Sequence, residues 1–314
     1  MDELAVIAEQ HGVFLTREAL ALGYDDRSIA RAVRGRLWHR VRRGAYVPYA
    51  VWANADAEAR HLIRAAAVHR SYGDRVCFSH VTAALLHGIA VWGVDLDRVH
   101  VTRLDGGAGR TEPDVVHHEA QCLGDDDVVR LDGRLVTAPA RAALETGILG
   151  STEAALISLD SLLFRRLGST NDLGSAYDVV QHWPGTQHLQ VAVRMADHRA
   201  QSPGESRSRW LFRVAGLPAP ELQFEVYDAA GVLVGTTDFA WRRHRLLGEF
   251  DGRVKYGRLL RPGQTPGEVV WEEKLREDAL RRTTGFGMER LVWADLDRPR
   301  STADRLWTML RRAA

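Results

Sequence analysis

Three acidic residues toward the C-terminal end of the chain, Asp238, Glu249 and Asp251, fall in stretches where apolar and polar residues alternate. The alternation predicts strands over 222–227, 232–240 and 245–251, the first two joined by the turn Asp228-Ala229-Ala230-Gly231. In an antiparallel hairpin closing near Arg243, Asp238 comes opposite Gly248 or Glu249. Glu249 and Asp251, two residues apart, then share a face while Phe250 points the other way. Carboxylates gathered on adjacent strands repel one another unless a cation sits between them. A hard divalent ion with oxygen ligands, Mg²⁺ (or Mn²⁺), would satisfy them and could activate water against a phosphodiester. On spacing alone the blander arrangement has the better claim: Asp238 and Asp251-Gly252 mark strand ends and Glu249 pairs with an arginine.

A second concentration of charge lies near the start. Between Arg17 and Arg43 there are eight arginines against three acids, a local excess of +5 in a chain whose net charge is +1. Arg27, Arg31 and Arg34 are spaced i, i+4, i+7, one face of a helix, where they could reach a major groove. Arg40, Arg42 and Arg43 lie in an alternating segment with a glycine at its bend, Leu37 to Val47, and could clamp phosphates. Lysine is scarce: of 42 basic residues only Lys255 and Lys274 are lysines, and both lie near the acidic cluster. The histidines are less telling. His80 and His87 are i, i+7, too far apart for one metal without help, and His117-His118 sit in a predicted strand where neighbours face opposite ways; both read as structural. Gly106-Gly107-Ala108-Gly109-Arg110 lacks the Lys-Ser/Thr of a phosphate-cradling loop.

The elements that must position these residues follow from periodicity. Leu4, Ile7 and Ala8 make a helical stripe, Thr16 caps a helix through Leu22, and Asp25 or Asp26 caps a second one, Arg27 to Val33, ended by Gly35. Two short helices across a tight turn, followed by a two-stranded wing, define a winged helix-turn-helix over residues 1–50. An α+β middle region, 55–195, carries predicted helices over 57–71, 79–86, 138–149 and 151–167. Its strands fall at 99–102, 115–118 and 135–136, and a looser Gly/Ser/Asn-rich segment ends it. The polar run Ala200-Gln201-Ser202-Pro203-Gly204 opens a third unit, 202–314, whose last long helix spans about 268–282. The fold class is thus multidomain α+β.

With 314 residues, 45% of them apolar and 26% charged, the chain is expected to form two or three packed units and not a disordered or fibrous one. The acidic start argues against a signal peptide and the longest apolar stretch, around Ala83 to Val94, is too short to span a bilayer, so a cytoplasmic protein without a membrane partner is expected. Cys77 and Cys122, without metal spacing, read as reduced, buried thiols.

Residues 12–49, and Arg43-Gly44-Ala45-Tyr46 above all, resemble the N-terminal domain of AbiEi-type antitoxins. The likeness continues more weakly through Ser79 to Gly88 and Thr137 to Glu145. It implies DNA binding and a cognate toxin as partner. The third unit is similar in order and spacing to the very-short-patch-repair-like branch of the PD-(D/E)xK nucleases. The residues that carry this are Glu205-Ser206-x-x-Arg209, Asp238-Phe239-Ala240-Trp241, Gly248-Glu249-Phe250-Asp251-Gly252 and Glu273-Lys274-x-Arg276-x-Asp278. That resemblance implies an α/β restriction-endonuclease-like domain in which Glu205, Asp238 and Glu249 hold Mg²⁺. The family's lysine two residues after the second acid is here Asp251, leaving Lys255 or Lys274 to replace it. Two readings follow: a winged helix delivering a Mg²⁺-dependent endodeoxyribonuclease to DNA in defence or repair, or an AbiEi-like antitoxin and repressor whose nuclease-like scaffold is inactive. Oligomeric state is left open.

Overall fold

The computed structural model describes residues 3–120, 123–252 and 266–312, so Lys255 and Cys122 lie outside the described residues. The chain divides into two compact units, residues 1–162 with 166–194, and 195–314 with 163–165.

The first unit opens with α1 (Glu3–His11), β1 (Phe14–Leu15), α2 (Thr16–Ala21), α3 (Asp26–Arg34), β2 (Trp38–Arg42) and β3 (Ala45–Pro48). The strands form a three-stranded sheet in the order β1-β3-β2. Three aromatic rings bind these elements together: Phe14 meets Trp38 edge-on at 4.9 Å and stacks with Tyr46 at 5.7 Å, with Leu4, Ala19 and Ile29 packed around them. Asp25 caps α3 by accepting from the Ser28 amide at 2.7 Å while Ser28 Oγ accepts from the Asp25 amide at 2.8 Å. α2 is capped differently from expectation. Thr16 is already helical, and Glu18 reaches back to accept from the Leu15 amide at 2.7 Å.

After α4 (Tyr49–Asn54) comes α5 (Ala57–Tyr72), whose Ala66 and Ala67 pack against Val13, Ala45 and Val47, so the first 49 residues share a core with this longer helix. Next are β4 (Val76–Phe78), α6 (His80–Leu86), β5 (Val99–Arg103), β6 (Arg110–Thr111), β7 (Val115–His118), β8 (Val128–Leu131) and β9 (Arg134–Thr137). They build a mixed sheet in the order β6-β7-β5-β4-β9-β8. Four helices end the stretch: α7 (Pro139–Ile148), α8 (Thr152–Phe164), α9 (Thr170–Val180) and α10 (Leu189–Met195). The segment expected to be loose is therefore helical over 170–180. Ser169 and Asp172 cap it reciprocally, and Leu173 and Val180 are buried, a polar composition organised by its cap and two apolar contacts.

The second unit is a four-stranded sheet of β10 (Glu221–Tyr227), β11 (Leu233–Trp241), β12 (Leu246–Asp251) and β13 (Gly287–Val292), in that order. The first three are antiparallel, whereas β13 runs parallel to β12 and is reached through α12 (Pro266–Thr284). Helices α11 (Pro203–Val214), α13 (Trp293–Leu296) and α14 (Pro299–Arg312) complete it. Strand parity sorts the core into two layers. Phe239, Leu246 and Leu291 pack with Phe212 of α11 and Leu306 of α14, while Ala240, Leu247 and Met288 pack with Leu280 of α12. Asp238 shares parity with Ala240 and Glu249 with Leu247, so both open toward the α12 side.

The stretch Gln201-Ser202-Pro203-Gly204, expected to open the third unit, is the capped start of α11. Ser202 is its N-cap and Pro203 fills the first turn. Gly204 sits against Phe250 so closely that an added Cβ would lie 1.9 Å from the ring. This contact lets α11 approach β12. Gly204→Ala should therefore lower the unfolding midpoint by an amount corresponding to about 1–3 kcal/mol of overpacking, and Phe250→Leu in the same chain should restore part of it; thermal denaturation of the single and double variants checks both.

Candidate functional site

Glu205 occupies the third position of α11, and its buried carboxylate is fully engaged. It accepts from Ser202 Oγ at 2.7 Å, the Gln201 amide at 3.0 Å and Gln223 Nε2 at 3.1 Å. The same Gln223 amide nitrogen donates to Asp238 Oδ1 at 3.4 Å, and Asp238 Oδ2 accepts from the Phe250 amide at 2.8 Å. Gln223 lies on β10 in register with Asp238, between the pairs Leu222↔Phe239 and Phe224↔Thr237. Its φ of +49° is a left-handed conformation inside a strand, a strain of about 1–3 kcal/mol that the surrounding structure has to hold in place.

Glu249, on β12, is also buried, but it faces cations: Arg276 of α12 at 2.7 Å and Arg290 of β13 at 3.3 Å. Arg290 also reaches Glu273 at 2.8 Å, Glu277 at 3.2 Å and Asp251 at 3.8 Å, a guanidinium serving four acids. Lys274, expected to supply the missing positive charge, is exposed on α12. The cation against Glu249 is Arg276, two residues further along, which also donates to the Thr236 carbonyl at 3.2 Å.

The electrostatics separate the acids. Burial, and after it the negative charge of Asp238, pushes Glu205 up to about 7. Burial raises Asp238, opposed by the Phe250 and Gln223 hydrogen bonds and by Arg276. Glu249 is raised by burial as well, with Arg276 pulling against it. The Glu205–Asp238 pair offers the oxygen donors that a hard divalent ion takes, and a cation between them would relieve the repulsion by which Asp238 raises Glu205. Glu249 would join it only by giving up a guanidinium. Among the described residues, the oxygens of these three acids do not all come within 4.8 Å of one another.

At the other end of the chain, Arg27, Arg31 and Arg34 are exposed along α3, on the side away from buried Ile29. Arg40 and Arg43 are exposed on the β2–β3 hairpin. Arg42 departs from the expectation. Simple alternation puts it on the face of Arg40, but a bulge between Arg40 and Arg42 leaves Val41 unpaired and turns the next side chain around. Arg42 instead lies 3.3 Å from Asp114 and 3.9 Å from Glu112, over the ring of Tyr72. Arg42 is thereby paired with acids of its own unit.

Sequence reasoning missed Gln223, Arg276 as a site residue, and Arg290. Arg276 stood in the motif read for its acids and lysine. Gln223 left no signal, because a polar residue at an inward strand position is recognised only once its partners are known. Cys77 is buried and its thiol is pushed up to about 12 by that burial, which makes it inert.

The first 49 residues match the family described as transcriptional regulators of the AbiEi antitoxin type. Over 212 residues the chain is 31% identical to two uncharacterized proteins of Mycobacterium tuberculosis, MT2308 of strain CDC 1551 / Oshkosh and Rv2248 of strain ATCC 25618 / H37Rv, covering 63% of this chain and 77% of theirs. The chain belongs to the family of these mycobacterial proteins, and carries an AbiEi-type segment at its N-terminus. Among solved structures, that of the RV2827C protein from Mycobacterium tuberculosis matches with a TM-score of 0.37 and 14% identity, over 71% of this chain and 87% of that one. No helix among the described residues is long and apolar enough to cross a membrane.

The elevated Glu205 carboxyl has a consequence for stability. Its folded value lies above the ordinary 4.5, so the folded state holds a proton that the unfolded chain releases. That contribution is fully present below 4.5 and is lost as pH rises through about 7. Urea unfolding between pH 4.5 and 8 should show the wild type losing stability relative to Glu205→Gln across this window; parallel curves would place the group elsewhere.

Proposed function

We propose that the chain is a DNA-binding protein whose N-terminal segment acts as a winged helix, with α3 entering the major groove and the β2–β3 hairpin lying along the phosphate backbone. The observation that carries this reading is the exposed row Arg27, Arg31, Arg34 on a helix held by the Asp25–Ser28 cap and anchored through Ile29. Guanidinium groups at this spacing suit base edges that offer two acceptors, and Arg40 and Arg43 suit phosphate oxygens. The AbiEi-type match of the same residues supports the reading and brings with it a cognate toxin as partner.

A second reading, of a phosphodiester-cleaving activity in the second unit, is favoured by one observation: Glu205 and Asp238 share one amide donor, Gln223, and the negative charge of Asp238 acts on Glu205. These two residues would hold a Mg²⁺ ion, which when bound supplies Lewis-acid and water-activating chemistry. Gln223 orients both carboxylates, the Phe250 amide fixes the second oxygen of Asp238, and Arg276 sets positive charge beside Glu249. Should the pair hold no ion, the same fold serves as a scaffold for a regulator.

Two outcomes are expected with the full chain. In salt titrations of DNA binding, Arg40→Ala and Arg43→Ala should each reduce the slope by about 1 while Arg42→Ala leaves it unchanged. Arg31→Ala or Arg34→Ala should relax any base preference by about 1–3 kcal/mol. Unchanged binding in all of these would remove the winged-helix reading. Separately, if the second unit cleaves DNA with Mg²⁺ or Mn²⁺, Asp238→Asn and Glu205→Gln should abolish cleavage and leave DNA affinity intact. Wild-type protein that cuts no DNA with either ion leaves the regulator.

A further inference from the structure

The mixed sheet of the first unit gathers three histidines from three separate elements, α6, β5 and β7. α6 begins where β4 stops, and the Ser79 amide donates to the His100 carbonyl at 3.1 Å, fastening the start of the helix to β5. His80 follows with φ at +52°, a left-handed conformation that aims its ring back over the sheet. Strand β7 pairs in parallel with β5, His100 opposite Val116, so His118, two residues on, projects from the same face as His100. His100 Nδ1 and His118 Nε2 are 2.9 Å apart, and the His80 ring stacks on that of His118 with centroids 3.7 Å apart. One ring nitrogen from each of the three lies within 4.8 Å of the other two.

Burial disfavours the charged form of each ring, and in the His100–His118 contact one ring nitrogen donates to the other. Burial, then the neighbouring histidines, bring His100 down to about 3; burial, then His117, brings His118 down to about 4; and His80 is held well below its ordinary value. All three are therefore neutral imidazoles in neutral solution. Two of the three are also anchored through their backbone amides. The His80 amide donates to Glu145 at 3.1 Å, and Ser79 Oγ lies 3.0 Å from His80 Nδ1. The His100 amide donates to Thr82 Oγ1 at 2.8 Å, and that hydroxyl is held by His61 Nε2, whose other nitrogen donates to the Leu96 carbonyl. Of these contacts the one from Ser79 Oγ reaches a ring nitrogen, the kind of partner that orients a metal-binding histidine; the others fix the backbone from which His80 and His100 project.

We propose that His80, His100 and His118 form a binding site for one divalent transition-metal ion, zinc first, with the fourth position open on the half-buried side of His118. Neutral imidazole nitrogens select such ions over Mg²⁺, which sets this site apart from the carboxylates of the second unit. Tetrahedral zinc with nitrogens at about 2.0–2.1 Å needs them about 3.4 Å apart. The His100–His118 separation of 2.9 Å is shorter than that value, so closure requires this pair to open and the His80 ring to turn off the face of His118.

The test uses the full chain stripped with a chelator. Titration with Co²⁺ should give a tetrahedral visible spectrum saturating at about one equivalent, displaced by Zn²⁺. X-ray absorption of the zinc-loaded wild type should show three imidazole ligands. His118→Gln and His100→Asn should each weaken binding by about 10-fold or more, whereas His182→Gln, at a histidine outside the cluster, should not change it. Wild-type protein that takes up no Co²⁺ or Zn²⁺, a loaded site with carboxylate in place of imidazole ligands, or affinity that survives both triad substitutions overturns the proposal and leaves a stacked histidine cluster with a packing role. The absorption measurement on wild type decides the matter even if a triad variant fails to fold.

Discussion

An acid taken out of water has to find a donor, a cation or a proton, and that constraint organises both units. In the first, Glu145 is buried on α7, pairs with Arg141 at 2.8 Å and accepts from the His80 amide, so one carboxylate ties a helix to the start of its neighbour. Arg141 passes the charge on to Asp127 at 2.8 Å and rests on Trp183. In the second, three acids meet the constraint in three ways. Glu205 takes hydrogen bonds and a proton, Asp238 takes a backbone amide, and Glu249 takes two guanidiniums. Removing one partner from such a set leaves a buried charge uncompensated, which costs more than the pair contributes.

Much of this was legible in the amino-acid order. The strands around Asp238 and Glu249 are readable because one face of each is apolar, and the observed register, Phe239 opposite Gly248, sets Asp238 beside Glu249 as the hairpin argument requires. The helix carrying Arg27, Arg31 and Arg34 is readable from its cap and its period. What escaped was whatever depends on long-range pairing. The His100 ring joins those of His80 and His118 only because β5 lies between β4 and β7, an order that local periodicity does not encode. β13 escaped for the same reason, since a short strand pairing in parallel gains its identity from its neighbour. The inward turn of Arg42 comes from one bulged residue, and alternation misassigns every side chain after such an insertion.

The two clusters differ in donor chemistry. The carboxylates of the second unit offer hard oxygen donors close to guanidiniums, and the charge state of Glu205 responds to pH near neutrality. The imidazoles of the first unit are kept neutral by burial. Protonation therefore acts on one cluster and hardly on the other within the physiological range.

The parallel pairing of β12 with β13 sets an order in time. Glu249 lies at 249 in the chain, but one of its two guanidiniums comes from Arg290, which reaches it only after α12 has crossed back to the sheet. During synthesis the acid is exposed well before its partner leaves the ribosome, so the strands up to β12 emerge with an unneutralised carboxylate at their open edge. Like charge on that edge disfavours its pairing with a second nascent chain until β13 arrives to occupy it. The late strand thus brings Arg290 to Glu249 and covers the edge of β12 in one event.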